Sequence, residues 1–122
     1  MSQATALIAM LPRFTTLVGA TSFTTTPMDV FGLDSVQLQA WRGAMRGTDP
    51  TFAVYFEESL DAENWTQGPS TPMAFDPGEG EAQFFNYCFQ LRWFRVRVEL
   101  GGTDPMVTCW VEGVLRSGSR CN

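Results

Sequence analysis

The clearest pattern along the chain is an alternation that begins near Arg92. Phe94, Val96, Val98 and Leu100 fall on one face of an extended strand, and Arg95, Arg97 and Glu99 on the other. A period of two marks a half-buried β-strand. The stretch Val107–Leu115 is β-branched and aromatic, as buried strands are. Between them, Gly101-Gly102-Thr103-Asp104-Pro105-Met106 has the composition of a turn. The pattern predicts a β-hairpin over Arg92–Leu115, with the Phe94–Leu100 row in the core.

Two further stretches alternate. Val36, Leu38 and Ala40 oppose Gln37, Gln39 and Trp41; Phe52, Val54 and Phe56 oppose Ala53, Tyr55 and Glu57. Each predicts a strand. Residues 14–31 mix Phe and Val with Thr and are punctuated by Gly19 and Pro27, which suits one or two irregular strands. Residues 42–50, 61–68 and 69–80 read as loops, with a short strand at Met73–Phe75. Glu81–Leu91 suits a strand pair or one bent strand. Residues 1–13 are small and apolar and fit either a short helix or an extended arm. Such a terminus packs on its own domain or docks on a partner, because exposed apolar patches are costly. The expected architecture is all-β: a β-sandwich, jelly-roll or Ig-like, of about seven to nine antiparallel strands with an N-terminal arm. The expected division is an arm at 1–13, a sandwich at 14–116 and a polar tail at 117–122.

One four-residue motif occurs twice. Gly47-Thr48-Asp49-Pro50 and Gly102-Thr103-Asp104-Pro105 each precede a predicted strand. Convergent turn chemistry explains this, since Asp bonds its own downstream backbone and Pro fixes φ. A shared loop surface at one end of the fold is the alternative.

Composition narrows the function. A chain of 122 residues, 44% hydrophobic and 17% charged, is one globular domain. A net charge of −5 disfavours binding to nucleic acid and to anionic membrane. No apolar run reaches membrane-spanning length. All eight basic residues are Arg. This reflects either coding bias or the use of Arg for bidentate pairing at an interface. Cys88, Cys109 and Cys121 have no metal-type spacing. Cys88 and Cys109 are expected as buried thiols and Cys121 as mobile, which together with the lack of a basic leader segment suits synthesis in a reducing cytosol.

Catalytic equipment is sparse. Without His or Lys, there is no Ser-His-Asp arrangement, Schiff base or P-loop. The expectation is a non-enzyme with no catalytic residue, no cofactor and no metal. Glu57 and Glu58 are adjacent and so point to opposite faces of a strand. Asp76-Pro77-Gly78-Glu79-Gly80-Glu81 is oxygen-rich but lacks calcium-loop spacing, and reads as a solvated acidic turn.

Candidate partner contacts are Leu7, Ile8, Met10, Leu11 and Phe14 of the arm, together with Trp41, Arg95, Arg97 and Trp110. Trp41, Tyr55 and Trp110 lie opposite the main apolar rows. They suit sugar stacking, interface anchoring or a second buried face. Arg95 and Arg97 share a face that is either a solvated salt-bridged surface or a docking face for an acidic partner.

The segments Phe52–Trp65, with Ser59-x-Asp61-x-x-x-Trp65 at its end, Trp93–Val98 and Pro105–Thr108 resemble a pattern in small β-sandwich structural proteins of tailed bacteriophages. The resemblance covers residues 52–115. It implies a virion structural protein of the head decoration or cement type, a homotrimer bound to the major capsid protein on the capsid surface and made in the host bacterial cytoplasm. Related sandwiches serve as carbohydrate- or receptor-binding modules and as tail components, so these stand as the alternatives.

Overall fold

The computed structural model describes residues 5–67 and 76–118. These form eight β-strands and, among the described residues, no helix. In chain order they are β1 (Thr5–Val18), β2 (Thr21–Thr24), β3 (Met28–Asp29), β4 (Ser35–Arg42), β5 (Arg46–Ser59), β6 (Thr66–Gln67), β7 (Glu81–Cys88) and β8 (Trp93–Arg116). All belong to one antiparallel sheet.

The centre of that sheet is β8, 24 residues long. Along one side lie β1, β2 and β3, from Thr5 opposite Arg116 to Asp29 opposite Trp93. Along the other lie β4 and β5, from Ser35 opposite Arg116 to Ser59 opposite Trp93. Both flanks therefore run in the same direction. The chain must return from the Trp93 end of β8 to its Arg116 end through residues 30–34 alone. Five residues reach roughly 18 Å, whereas a straight strand of this length spans roughly 80 Å. The sheet can satisfy both only by curling until the two ends of β8 meet. Two hydrogen bonds record that meeting: the Val30 N–H donates to the Arg92 carbonyl (2.8 Å) and the Asp34 N–H to the Arg116 carbonyl (2.9 Å).

The predicted hairpin is thus one strand. Residues 101–106 do not reverse the chain; they bend it. The reason lies in the repeated motif, whose two copies face each other with Thr48 opposite Thr103. Gly102 opposes the pair Asp49-Pro50, and Gly47 opposes Asp104-Pro105, two reciprocal β-bulges. Both aspartates are left-handed, at φ 49° and 50°, and both glycines stand at φ near 110°. A Cβ on Gly102 would lie 2.8–2.9 Å from the backbone of Thr48, Asp49 and Pro50. The twofold-like device concentrates the bend of both strands in one place.

Inside the curl, Phe94, Val96, Val98 and Leu100 are buried, as the alternation predicts, together with Val36, Leu38, Ala40, Phe52, Val54 and Phe56. Phe56 packs edge-on against Tyr87 (5.2 Å) and Phe85 (5.7 Å) of β7. Each such buried side chain contributes about 1.5–3 kcal/mol.

Several expectations are corrected. The boundary at residue 13 falls inside β1, which is hydrogen-bonded to β8 along its length, so the described part of the arm belongs to the sheet. Of the two readings of residues 81–91, the single strand holds, over Glu81–Cys88. Residues 46–50 are strand, not loop. Cys88 is disulfide-bonded and not a free thiol. Cys109 is free and buried, and burial pushes its thiol up to about 11. The short strand at Met73–Phe75, Cys121 and the ends of the expected arm and tail lie outside the described residues.

The bend generates a prediction. Gly102→Ala should cost about 3 kcal/mol or more, because left-handed strain adds to an unrelievable backbone clash. Gly19→Ala, at φ 82° with nothing within 4 Å of its Cβ, should cost only the strain, about 1–2 kcal/mol. Urea unfolding of the two variants measures the difference; equal losses would remove the bend from this central role.

Candidate protein-docking surface

Glu58 is the one fully buried carboxylate among the described residues, at 0% exposure. It sits on the inward row of β5. The Tyr87 hydroxyl donates to its Oε2, and the N–H groups of Gln90 (2.8 Å) and Leu91 (2.7 Å) donate to its Oε1. Three donors satisfy a charge that would otherwise be prohibitive to bury. Glu58 therefore pins the β7–β8 connection onto β5. Glu57, as expected, points the other way.

On the outer face Glu57 joins two arginines. Arg95 Nε donates to its Oε1 (2.7 Å) and Arg97 Nε to its Oε2 (2.9 Å). Arg97 also pairs with Glu99. Each guanidinium lies against a ring, Arg95 over Trp65 at 4.1 Å and Arg97 over Tyr55 at 4.0 Å. Trp65 reaches this place because Asp61 organises the turn before it. The Asp61 carboxylate accepts N–H bonds from Asn64 and Glu63, and side-chain bonds from Asn64 and Ser59, which hold it well below the usual carboxylate range. The Ser59-x-Asp61-x-x-x-Trp65 motif is thus a turn that lays an indole on an arginine. Two arginines and two glutamates cancel, so this face presents no net positive charge to an acidic partner.

The Trp41 and Trp110 indoles stack at 6.2 Å and 12°, and Arg13 covers Trp110 at 4.4 Å while bonding Glu112. Trp110 is only 7% exposed and Trp41 half-buried. A ring already stacked and capped is not a free platform for a sugar.

The N-terminal candidates separate. Leu11 is in the core, and Ile8 and Met10 pack against it. Leu7 (86% exposed) and Phe14 (75%) face outward. Phe14 is unusual twice over. It sits at φ 61°, which a bulky side chain rarely adopts, in a β1 bulge between Leu11 and Thr15. The Thr15 hydroxyl donates to the Pro12 carbonyl (2.6 Å) and closes that bulge.

Phe31 (80% exposed) and Phe84 (61%) join them. Sequence reasoning missed both. Phe84 shares its strand face with Ala82 and Asn86, a parity hidden by the Phe84-Phe85 doublet, and Phe31 stands in the turn that ends at Gly32. Leu7 and Phe84 rim a shallow groove of ≈ 330 Å³ that Gln37, Gln39, Glu112 and Val114 help line.

No cluster of three or more metal-binding side chains occurs among the described residues. In the acidic turn, Asp76 is engaged by Arg42 through Nε (2.6 Å) and Nη2 (3.0 Å) and accepts the Gly78 N–H. No described helix is long and apolar enough to cross a membrane. Comparison with known proteins returns no matching family model, no matching curated protein and no matching solved structure.

Acid should loosen the Asp61 turn. Its folded pKa lies below the unfolded value, so the stability it contributes is present above about pH 4 and is lost as pH falls through the folded value. Carboxyl NMR should show Asp61 titrating well below the usual carboxylate range; an ordinary titration would mean the turn bonds do not hold in solution.

Proposed function

We propose that this chain is a virion structural protein of the small β-sandwich type. In this reading it binds the outside of a bacteriophage capsid as a homo-oligomer, a trimer by preference, and stabilises the shell. The phage assignment is supported by the likeness of residues 52–115 to such proteins. The docking role is supported by the exposed side chains. The observation that carries it is the outward display of large apolar side chains, Leu7, Phe14, Phe31 and Phe84 together with Val18 and Leu60. Large exposed apolar groups held on rigid strands are the usual anchors of protein interfaces.

Phe14 is the leading anchor towards the major capsid protein. Backbone strain persists where the surroundings enforce it, and here it fixes a ring in solvent. The fold alters how this is tested. Removing residues 1–13 would take Leu11 from the core and strip Val111–Arg116 of β8 of one of its two neighbours, so such a deletion would unfold the domain. Phe14→Ala removes only an exposed ring and relieves none of the sheet pairing. It should leave thermal unfolding nearly unchanged while weakening capsid binding about thirtyfold, the effect of losing a contact of about 2 kcal/mol. Sedimentation of the variant with empty capsids of the phage that encodes it measures the loss. Cryo-electron microscopy of those virions decides the location: this fold on the outer lattice supports the reading, and its absence from the capsid, or its presence in the tail, overturns it.

A further inference from the structure

We infer that the open edge of β1 is a self-association site, on which two copies of the chain pair β1 against β1 about a twofold axis through Leu7. The inference rests only on the homo-oligomeric part of the reading above, and the symmetry it requires is twofold. β1 pairs with β8 along one edge, and no described strand lies along the other. Native sheets blunt such edges with charge, Pro or a bulge. Thr5–Ala9 has none of these. The first register shift comes after Ala9, and Pro12 follows it. β1 also carries more exposed large apolar side chains than any other described strand: Leu7, Phe14 and Val18. An open, uncharged, apolar edge that is regular only over Thr5–Ala9 is a template for one short strand.

Charge and register select a second copy of this chain as that strand. The molecule carries a net charge of −5, so two copies need a contact that sets no carboxylate against another. Thr5–Pro12 brings none, and Arg13 keeps its own partners, Glu112 and the Trp110 ring. Antiparallel pairing, the more stable kind, relates two identical strands by a twofold axis normal to the sheet. Residues that meet across it lie on the same face, so an inward residue meets an inward one. Leu7 faces outward and Ile8 packs inward on the core. That parity leaves registers centred on a residue, and only the one centred on Leu7 pairs the whole of Thr5–Ala9. Leu7 then meets Leu7 of the second copy, each covering the other, and Ile8 stands opposite Ala6. The same axis keeps both inner rows on one side. Ile8 and Met10, half-buried beside a cavity of ≈ 240 Å³ that Met28 also lines, gain cover from the second copy. The contact is isologous, so it closes on itself and leaves no β1 edge to propagate. Phe14 lies beyond the paired residues and stays free for other contacts.

Sedimentation velocity of the purified chain, from low to high micromolar concentration and with no particle present, tests the inference apart from any capsid role. The wild type should pass from monomer to dimer and no further. Leu7→Asp changes an exposed side chain, so far-UV circular dichroism and thermal unfolding should match the wild type while dimerisation weakens at least tenfold. A cysteine trap reads the register. Directly opposite residues of an antiparallel pair have Cα atoms about 4.5–5.5 Å apart, within the span of a disulfide. Leu7→Cys should therefore link two copies on oxidation with diamide. Ala9→Cys, which faces Thr5 of the second copy, should not. Cys109 is buried and does not compete. A wild type that stays monomeric, or that assembles into trimers or longer species, overturns the inference. So does dimerisation untouched by Leu7→Asp, or cross-linking equal at the two positions. If Leu7→Asp fails to fold, the two cysteine variants carry the test alone. Dimers that do not bind empty capsids sink the virion reading and leave the inference standing; a chain that binds them while remaining monomeric in solution does the reverse.

Discussion

The structure depends on one geometric constraint: a five-residue connection, Val30–Asp34, must join opposite ends of a sheet whose central strand runs 24 residues. Everything else follows from meeting it. The sheet has to curl, the curl needs a place to bend, and the bend is supplied by two copies of Gly-Thr-Asp-Pro set against each other. Neither copy would serve alone. A single bulge twists one strand against its neighbour, whereas reciprocal bulges let both strands turn together and stay paired on either side. Once the ends of β8 meet, the inward rows face one another and the aromatic cluster of Phe56, Tyr87, Phe89 and Phe94 closes the interior.

Polar groups reinforce the same closure. Glu58 ties β5 to the connection between β7 and β8, across the ends of the curl. Arg92, at the start of β8, pairs with Asp29 at the end of β3. The absence of Lys acquires a physical meaning here. Arg13, Arg95 and Arg97 each bond a carboxylate while lying over a ring, a dual contact that an ammonium on a flexible stem makes less well. Their positive charge is spent inside the chain, which leaves apolar shape, more than charge, as the distinguishing feature of the surface.

The parts legible in the sequence were those decided locally. Alternation identified the buried rows of β4, of β5 from Phe52 onward, and of β8 up to Leu100, since strand parity is a local property once one face is buried. The bend was not legible as such. A reversing turn and a bulged bend ask for the same residues, because both need Gly or Asp in left-handed conformations and Pro at fixed φ. What separates them is the identity of the strand opposite, which lies some fifty residues away. The repeat was the available signal, but it read as convergent turn chemistry or a shared loop surface, and only the structure sets its two copies against each other. The first strand was hidden for a different reason. From Ala6 to Leu11 every residue is apolar, so no parity could be read, and burial of Leu11 beside exposure of Leu7 depends on how β1 lies against β8. Among the candidate contacts, the same blindness grouped Leu11 with Leu7 and left Phe84 unseen behind Phe85.

The bulge in β1 links fold to surface. An uninterrupted apolar edge of fourteen residues would pair with many partners and in many registers. The register already slips at Met10, Pro12 removes a donor, and Phe14 at positive φ turns the backbone aside, so regular pairing runs only from Thr5 to Ala9. The interruption protects most of the edge from unspecific addition and limits the length of any strand that docks before it. It also holds the Phe14 ring out in solvent, where its neighbours in the strand cannot cover it. One irregularity therefore does what a flexible arm could not: it restricts regular pairing to a short segment and fixes an exposed aromatic ring beside it, both already held by the sheet.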